Sequence, residues 1–174
     1  PPTPENFARE IERLIKNKDF KIITFRPATV FGLSPRFRIE LLPNHFTYMA
    51  ISKKLIPLSG LNAYRAAIDI DHLIEGYFKV IEKGSWKHWL YNIGHHNLNK
   101  KQFANGIRKV VSCKFGVAPD IGDLRNLQID CSRFNKEFDF KPSTSYEMSI
   151  RKIVRWLRKN FQENHLPWEE DRLP

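Results

Sequence analysis

Carboxylates are scarce in this chain of 174 residues, where 19 Asp and Glu face 29 Lys and Arg for a formal net charge of +10. Such an imbalance points toward anionic partners. Cysteine is scarcer still. Cys113 and Cys131 stand 18 positions apart, a separation that matches no zinc-ligand spacing, and both are expected as buried free thiols in a reducing compartment. No run approaches the roughly 18 apolar residues that a membrane span requires. The N-terminus lacks a basic region followed by an apolar stretch, so no signal peptide is visible and the expected location is the cytoplasm. Glycine is thinly spread: no two of the eight glycines are closer than six positions. This excludes the clustered glycine turn that lets backbone approach a dinucleotide pyrophosphate. There is no internal repeat, low-complexity tract or interdomain linker.

What is present suits a soluble globular core, with 41% hydrophobic and 13% aromatic residues. A chain of this length is one domain's worth and buries roughly 70% of its unfolded surface. We expect a single α/β domain over residues 1–164 and a tail over 165–174. An amphipathic helix is predicted over Pro4 to Lys16, striped by Phe7, Ile11, Leu14 and Ile15. The β-branched run Lys21 to Phe25 reads as a buried strand breaking off into a loop, and Ile39 to Ser52 contains a further helix. A short strand at Ala66 to Ile68 feeds a helix capped by Asp69 and ended by Gly84, its inward stripe read as Ile70, Leu73, Ile74, Tyr77, Phe78 and Ile81. Trp89 to Ile93 is the next strand. Asn99 with Gln102 forms a capping pair for a helix burying Phe103, Ile107, Val110 and Val111. A loop over Gly116 to Gly122 leads to a strand at Asn126 to Ile129. Thr144 to Glu147 matches a capping box ahead of a last helix that buries Tyr146, Ile150, Ile153, Val154, Leu157 and Phe161. His95 and His96, adjacent on an extended segment, are expected to point to opposite sides, which disfavours a metal site.

Phe25-Arg26-Pro27-Ala28-Thr29-Val30-Phe31-Gly32 is the most informative stretch. In open α/β sheets ligands collect outside the carboxyl ends of strands, where this octapeptide falls. It is followed in order by Ser34-Pro35-Arg36-Phe37-Arg38, Pro43-Asn44-His45-Phe46, Arg65 with Ile68-Asp69-Ile70-Asp71, and Tyr91-Asn92-Ile93-Gly94. Then come Asp123-Leu124-Arg125 with Ile129-Asp130, Phe138 to Pro142, and Trp156-Leu157. Together these words resemble the C-terminal half of the NAD-dependent epimerase/dehydratase family, extended short-chain dehydrogenases acting on nucleotide sugars.

The resemblance implies an α/β fold made of the C-terminal part of a Rossmann-type sheet and a small substrate-binding lobe, without the dinucleotide-binding half. It implies Pro27, Ala28 and Val30 at a nicotinamide ring, hence NAD or NADP in an intact member. It places Thr29, Asn44, His45, Arg65, Asp123 and Arg125 around a nucleotide-diphosphate sugar, Arg65 as a guanidinium fork for phosphate oxygens. The family's catalytic Tyr-x-x-x-Lys pair is missing: no tyrosine here has a lysine four positions later. The helix where it belongs offers Phe7 with Ile11 or Pro4 with Ala8, and neither moves a proton. Arg65-Ala66-Ala67 also lacks the aromatic that relatives carry after this arginine. The chain opens on Pro1-Pro2 rather than methionine. The expectation is therefore a fragment, inactive and without stably bound cofactor by itself, partnered by a missing N-terminal half or a second copy. No catalytic residue and no metal ligand is assigned. The alternative is a noncatalytic basic module binding RNA or a large assembly through Arg151, Lys152, Arg155, Arg158 and Lys159 on the polar face of the last helix.

Overall fold

The computed structural model describes Glu10, Arg13, residues 21–117 and residues 126–160. The predicted helix over Pro4 to Lys16 lies outside the described residues except for Glu10 and Arg13, which are helical. Phe161, Asp123, Arg125 and the tail also lie outside them.

Seven strands and five helices follow one another among the described residues: β1 (Thr24–Pro27), β2 (Thr29–Phe31), α1 (Leu42–Ser52), β3 (Leu55–Leu58), β4 (Tyr64–Asp69), α2 (Ile70–Lys83), β5 (Leu90–Ile93), β6 (His96–Asn99), α3 (Lys100–Arg108), β7 (Lys114–Val117), α4 (Ser132–Phe138) and α5 (Tyr146–Asn160). They form three small sheets, β1–β5 and β3–β7 in parallel, and β2–β4–β6 with β2 parallel and β6 antiparallel to β4. The expected α/β class is what is found.

β4 is the partition of the molecule. Side chains alternate along a strand, and Ala67 packs into one core with Phe31, Phe46, Phe103, Tyr146 and Ile150. Ala66 and Ile68 face the other way, toward Leu73, Tyr91, Ile93, Phe134 and Phe140. The first core is closed by α1, α3 and α5, the second by α2 and α4 beside the β1–β5 pair.

Local capping rules explain several boundaries. Asp69 Oδ1 accepts from the Asp71 amide at 2.9 Å, opening α2, and Gly84 at φ +63° ends it in the left-handed conformation that glycine adopts without strain. Asn99 and Gln102 exchange side-chain and backbone bonds of 2.8 Å in the expected capping box of α3. α1 has no side-chain cap but carries Pro43 in its first turn, where a missing N–H is harmless.

Other expectations need correction. The strand placed over Lys21 to Phe25 runs over Thr24–Pro27 instead, and its expected loop exit is a second strand. Ala28, whose amide donates to the Ile93 carbonyl at 2.8 Å, is the kink at which the chain passes from one sheet to the next. Gly116 and Val117, read as loop, close β7. β3, β6 and α4 were not anticipated. The strand expected at Asn126 to Ile129 is absent because side chains replace the ladder: Asn97 brackets the Ile129 backbone with bonds of 2.9 and 3.0 Å, and Asn92 donates to the Asp130 carbonyl.

On α2 the buried residues are His72, Leu73, Gly76 and Val80, while Ile74, Phe78 and Ile81 of the predicted stripe are exposed and Tyr77 lies at the rim. Gly76 decides this rotation. A Cβ there would stand 2.5 Å from Ile93 Cδ1, so the helix settles onto the sheet through its glycine. The Thr144–Glu147 box is not formed either. Thr144 is drawn into a 2.6 Å hydrogen bond with His72 Nε2, Glu147 accepts from Lys109 at 2.9 Å, and Ser145 Oγ receives the Met148 amide. His95 and His96 do not diverge; their rings stack with centroids 3.9 Å apart. Both cysteines are free, as expected, but only half-buried.

Candidate functional site

The β2–β4 ladder sets Thr29 beside Ala67. Neighbours across a ladder share a face, and so do residues two apart on a strand. Thr29, Ala67 and Arg65 therefore project together, and they line a hollow of about 320 Å³. The approach to α1 closes one side with Glu40, Leu42 and Pro43, and the start of α3 closes another with Lys100 and Phe103. The Arg65 guanidinium donates to the Tyr64 carbonyl at 2.7 Å, which fixes its root and leaves its fork geometry for planar acceptors. At the rim, Glu40 is held by Arg38 at 2.8 Å.

Lys100 was not singled out from the sequence, yet only 6% of it is exposed. It occupies the first turn of α3, where the helix dipole disfavours a cation. A lysine that breaks this rule is the signal that sequence reading had available. Thr29, Arg65 and Lys100 make the hollow a hydroxyl with two cations, a set suited to phosphate oxygens.

The remaining candidates lie elsewhere. Asn44 is 1% exposed and its amide is spent on backbone, accepting from Gly32 N at 3.1 Å and donating to the Arg38 carbonyl at 2.9 Å. It clamps the β2 exit behind Pro43. His45 sits half-buried on α1 outside the lining of the hollow, and burial pushes its imidazole below the usual value. Ala28 is buried against Gly94 and Cys131, Val30 packs at the second core, and Pro27 is exposed at the end of β1.

A larger crevice of about 580 Å³ lies near the carboxyl end of β5, lined by Gly94, His95, Asn97, Asp130 and Asn135. Its polar groups are largely committed. Asn97 holds Ile129, and both Asp130 oxygens accept from Ser132. Burial pushes the Cys131 thiol up to about 11, which removes it as a nucleophile near neutral pH. The crevice has no cation in its lining. On α5, Arg151, Arg155, Arg158 and Lys159 are exposed, and Lys152 bonds Asp71 at 2.6 Å.

No family model matches the sequence. The fold is similar to that of several solved enzymes. A dTDP-glucose 4,6-dehydratase from Bacillus anthracis, in complex with NAD, aligns with a TM-score of 0.69 and 23% identity over 92% of this chain and 53% of that one. UDP-glucose 4-epimerase from Bifidobacterium longum, in complex with NAD+ and UDP, gives 0.69 and 18% over 90% and 52%. UDP-N-acetylglucosamine 4-epimerase from Bacillus cereus gives 0.71 and 17% over 93% and 54%. The chain thus spans about half the length of these structures, and the likeness is one of fold: a partial Rossmann-like α/β architecture.

Proposed function

We propose that this chain is the substrate-binding portion of a nucleotide-sugar epimerase or dehydratase, gripping the diphosphate of a nucleotide-diphosphate sugar. The observation that carries this reading is the common hollow of Thr29 and Arg65. The sequence resemblance assigns both to the substrate, and they lie on one face of the β2–β4 ladder. The partial Rossmann-like fold supports it at the level of architecture. NAD or NADP belongs in this reading to the whole protein, where it would accept and return a hydride. Of the three residues assigned to the nicotinamide, Ala28 is buried and Val30 partly buried, so this chain's contact is Pro27 and retention of a dinucleotide by the chain alone is not proposed. The complement is an α/β half bearing a glycine turn and a tyrosine–lysine pair. An unshared two-stranded parallel sheet supports that choice, since parallel sheets are found covered and extended.

UDP-glucose is expected to bind measurably in calorimetry, and Arg65→Ala to weaken it about tenfold, the worth of one charge-assisted pair. Unchanged affinity would remove Arg65, and with it the reading.

A further inference from the structure

Lys100 is the least comfortable residue in the fold. It is nearly as buried as the core aromatics, and among the described residues its ammonium has no hydrogen-bond or ion-pair partner. Burying an unpaired cation is costly, and the position at the head of α3 adds the repulsion of the helix dipole. Its backbone is well held, the amide donating to the Ala63 carbonyl at 3.2 Å beside the Asn99–Gln102 box. The side chain is thus delivered to one place, the wall of the hollow that Thr29 and Arg65 also line. The one carboxylate in that lining, Glu40, stands exposed at the rim beside Arg38.

We propose that Lys100 is a second phosphate-binding cation of this hollow, so that the site is a two-cation receptor for the diphosphate group itself. This rests on the nucleotide-sugar reading and deepens it. Arg65 offers a planar fork and Lys100 a compact, rotatable donor, a combination that suits two linked phosphates presenting oxygens in different planes. A group retained for a ligand at the expense of stability has a recognisable behaviour: replacing it by an apolar side chain of similar length stabilises the free protein and weakens binding.

The test uses inorganic pyrophosphate and UDP-glucose against the wild-type chain, Lys100→Met and Lys100→Arg, with calorimetry for affinity and thermal melting in anion-poor buffer. Methionine keeps the buried stem. Expected are a pyrophosphate affinity about tenfold weaker in Lys100→Met, affinity retained in Lys100→Arg, and a melting temperature for free Lys100→Met at or above that of the wild type. Equal pyrophosphate affinity in wild type and Lys100→Met overturns the inference. So does a weakened affinity that Lys100→Arg does not rescue, because the lysine would then be structural. The two readings fail separately. UDP-glucose binding undiminished by Lys100→Met leaves the nucleotide-sugar reading and ends this one; Lys100-dependent pyrophosphate binding with UDP-glucose no tighter than pyrophosphate does the reverse.

Discussion

His96 shows how one side chain couples the site's surroundings to pH. Its ring stacks on His95 and meets Tyr146 at 5.6 Å, while His95 in turn meets His72 at 5.1 Å. Nδ1 of His72, Nδ1 of His95 and Nε2 of His96 are buried without partners. Burial, followed by the two neighbouring imidazoles, lowers His96 to about 4, against a weak opposing pull from Glu147. The folded value lies below the unfolded one of about 6.5, so the unfolded state takes up the proton first. The contribution of His96 to stability is therefore complete above pH 6.5 and shrinks as pH falls toward 4. Two to three pK units correspond to about 3 kcal/mol. Urea melts of the wild type are expected to lose about that much more between pH 7 and pH 4 than melts of His96→Leu, which keeps the volume and cannot charge. Parallel losses in both proteins would assign the acid sensitivity to the carboxylates of Asp130, Glu137, Asp139 and Glu147, whose values are also depressed.

Between elements, contacts turn on where small residues let backbones approach. α3 meets α5 through Gly106, where a Cβ would stand 2.6 and 2.8 Å from Cδ1 and Cε1 of Tyr146. That ring is held by Phe31, Phe103 and His96 and has nowhere to go. Gly106→Ala is expected to destabilise by about 1–3 kcal/mol through overpacking. Gly116→Ala, which meets only the exposed Leu55 side chain at 3.0 Å, is expected to change stability by less than about 0.5 kcal/mol. Equal denaturation midpoints for the two variants would mean that Tyr146 yields. The same distinction between local and distant causes separates what was legible in the sequence. The caps of α2 and α3 were readable because Asp69, Gly84, Asn99 and Gln102 act within one turn. The short strands β2, β3, β6 and β7 were not, because three or four residues carry little pattern and their pairing partners lie far along the chain. The stripe on α2 misled because that helix has two apolar faces, and Gly76, with no side chain to score, chooses between them. At the site, Thr29 and Arg65 were legible as words of a resemblance. Lys100 was hidden inside a capping pair, and Asn44 gave no hint that its amide is turned inward.

Across the whole molecule, stability is expected to be graded outward from β4. That strand is paired on both edges, and its residues Ala66 to Asp69 are buried among two cores. β1, by contrast, pairs only with β5 among the described residues and exposes Arg26 and Pro27. Backbone hydrogen bonds shielded on both faces open only with the global transition, whereas those at an open, partly solvated edge open locally. Hydrogen exchange is therefore expected to be slowest in β4, with the β1–β5 pair at least tenfold faster under conditions where unfolding limits the former. Slower exchange in β1 than in β4 would show that the small parallel pair, not the central ladder, is the stable kernel. The gradient bears on the proposed site. Thr29, Arg65 and Ala67 stand on the protected ladder, so the floor of the hollow is preorganised and little ordering remains for an anion to impose. The β1 edge lies at the weaker end, which is where a second α/β half would add most by covering it.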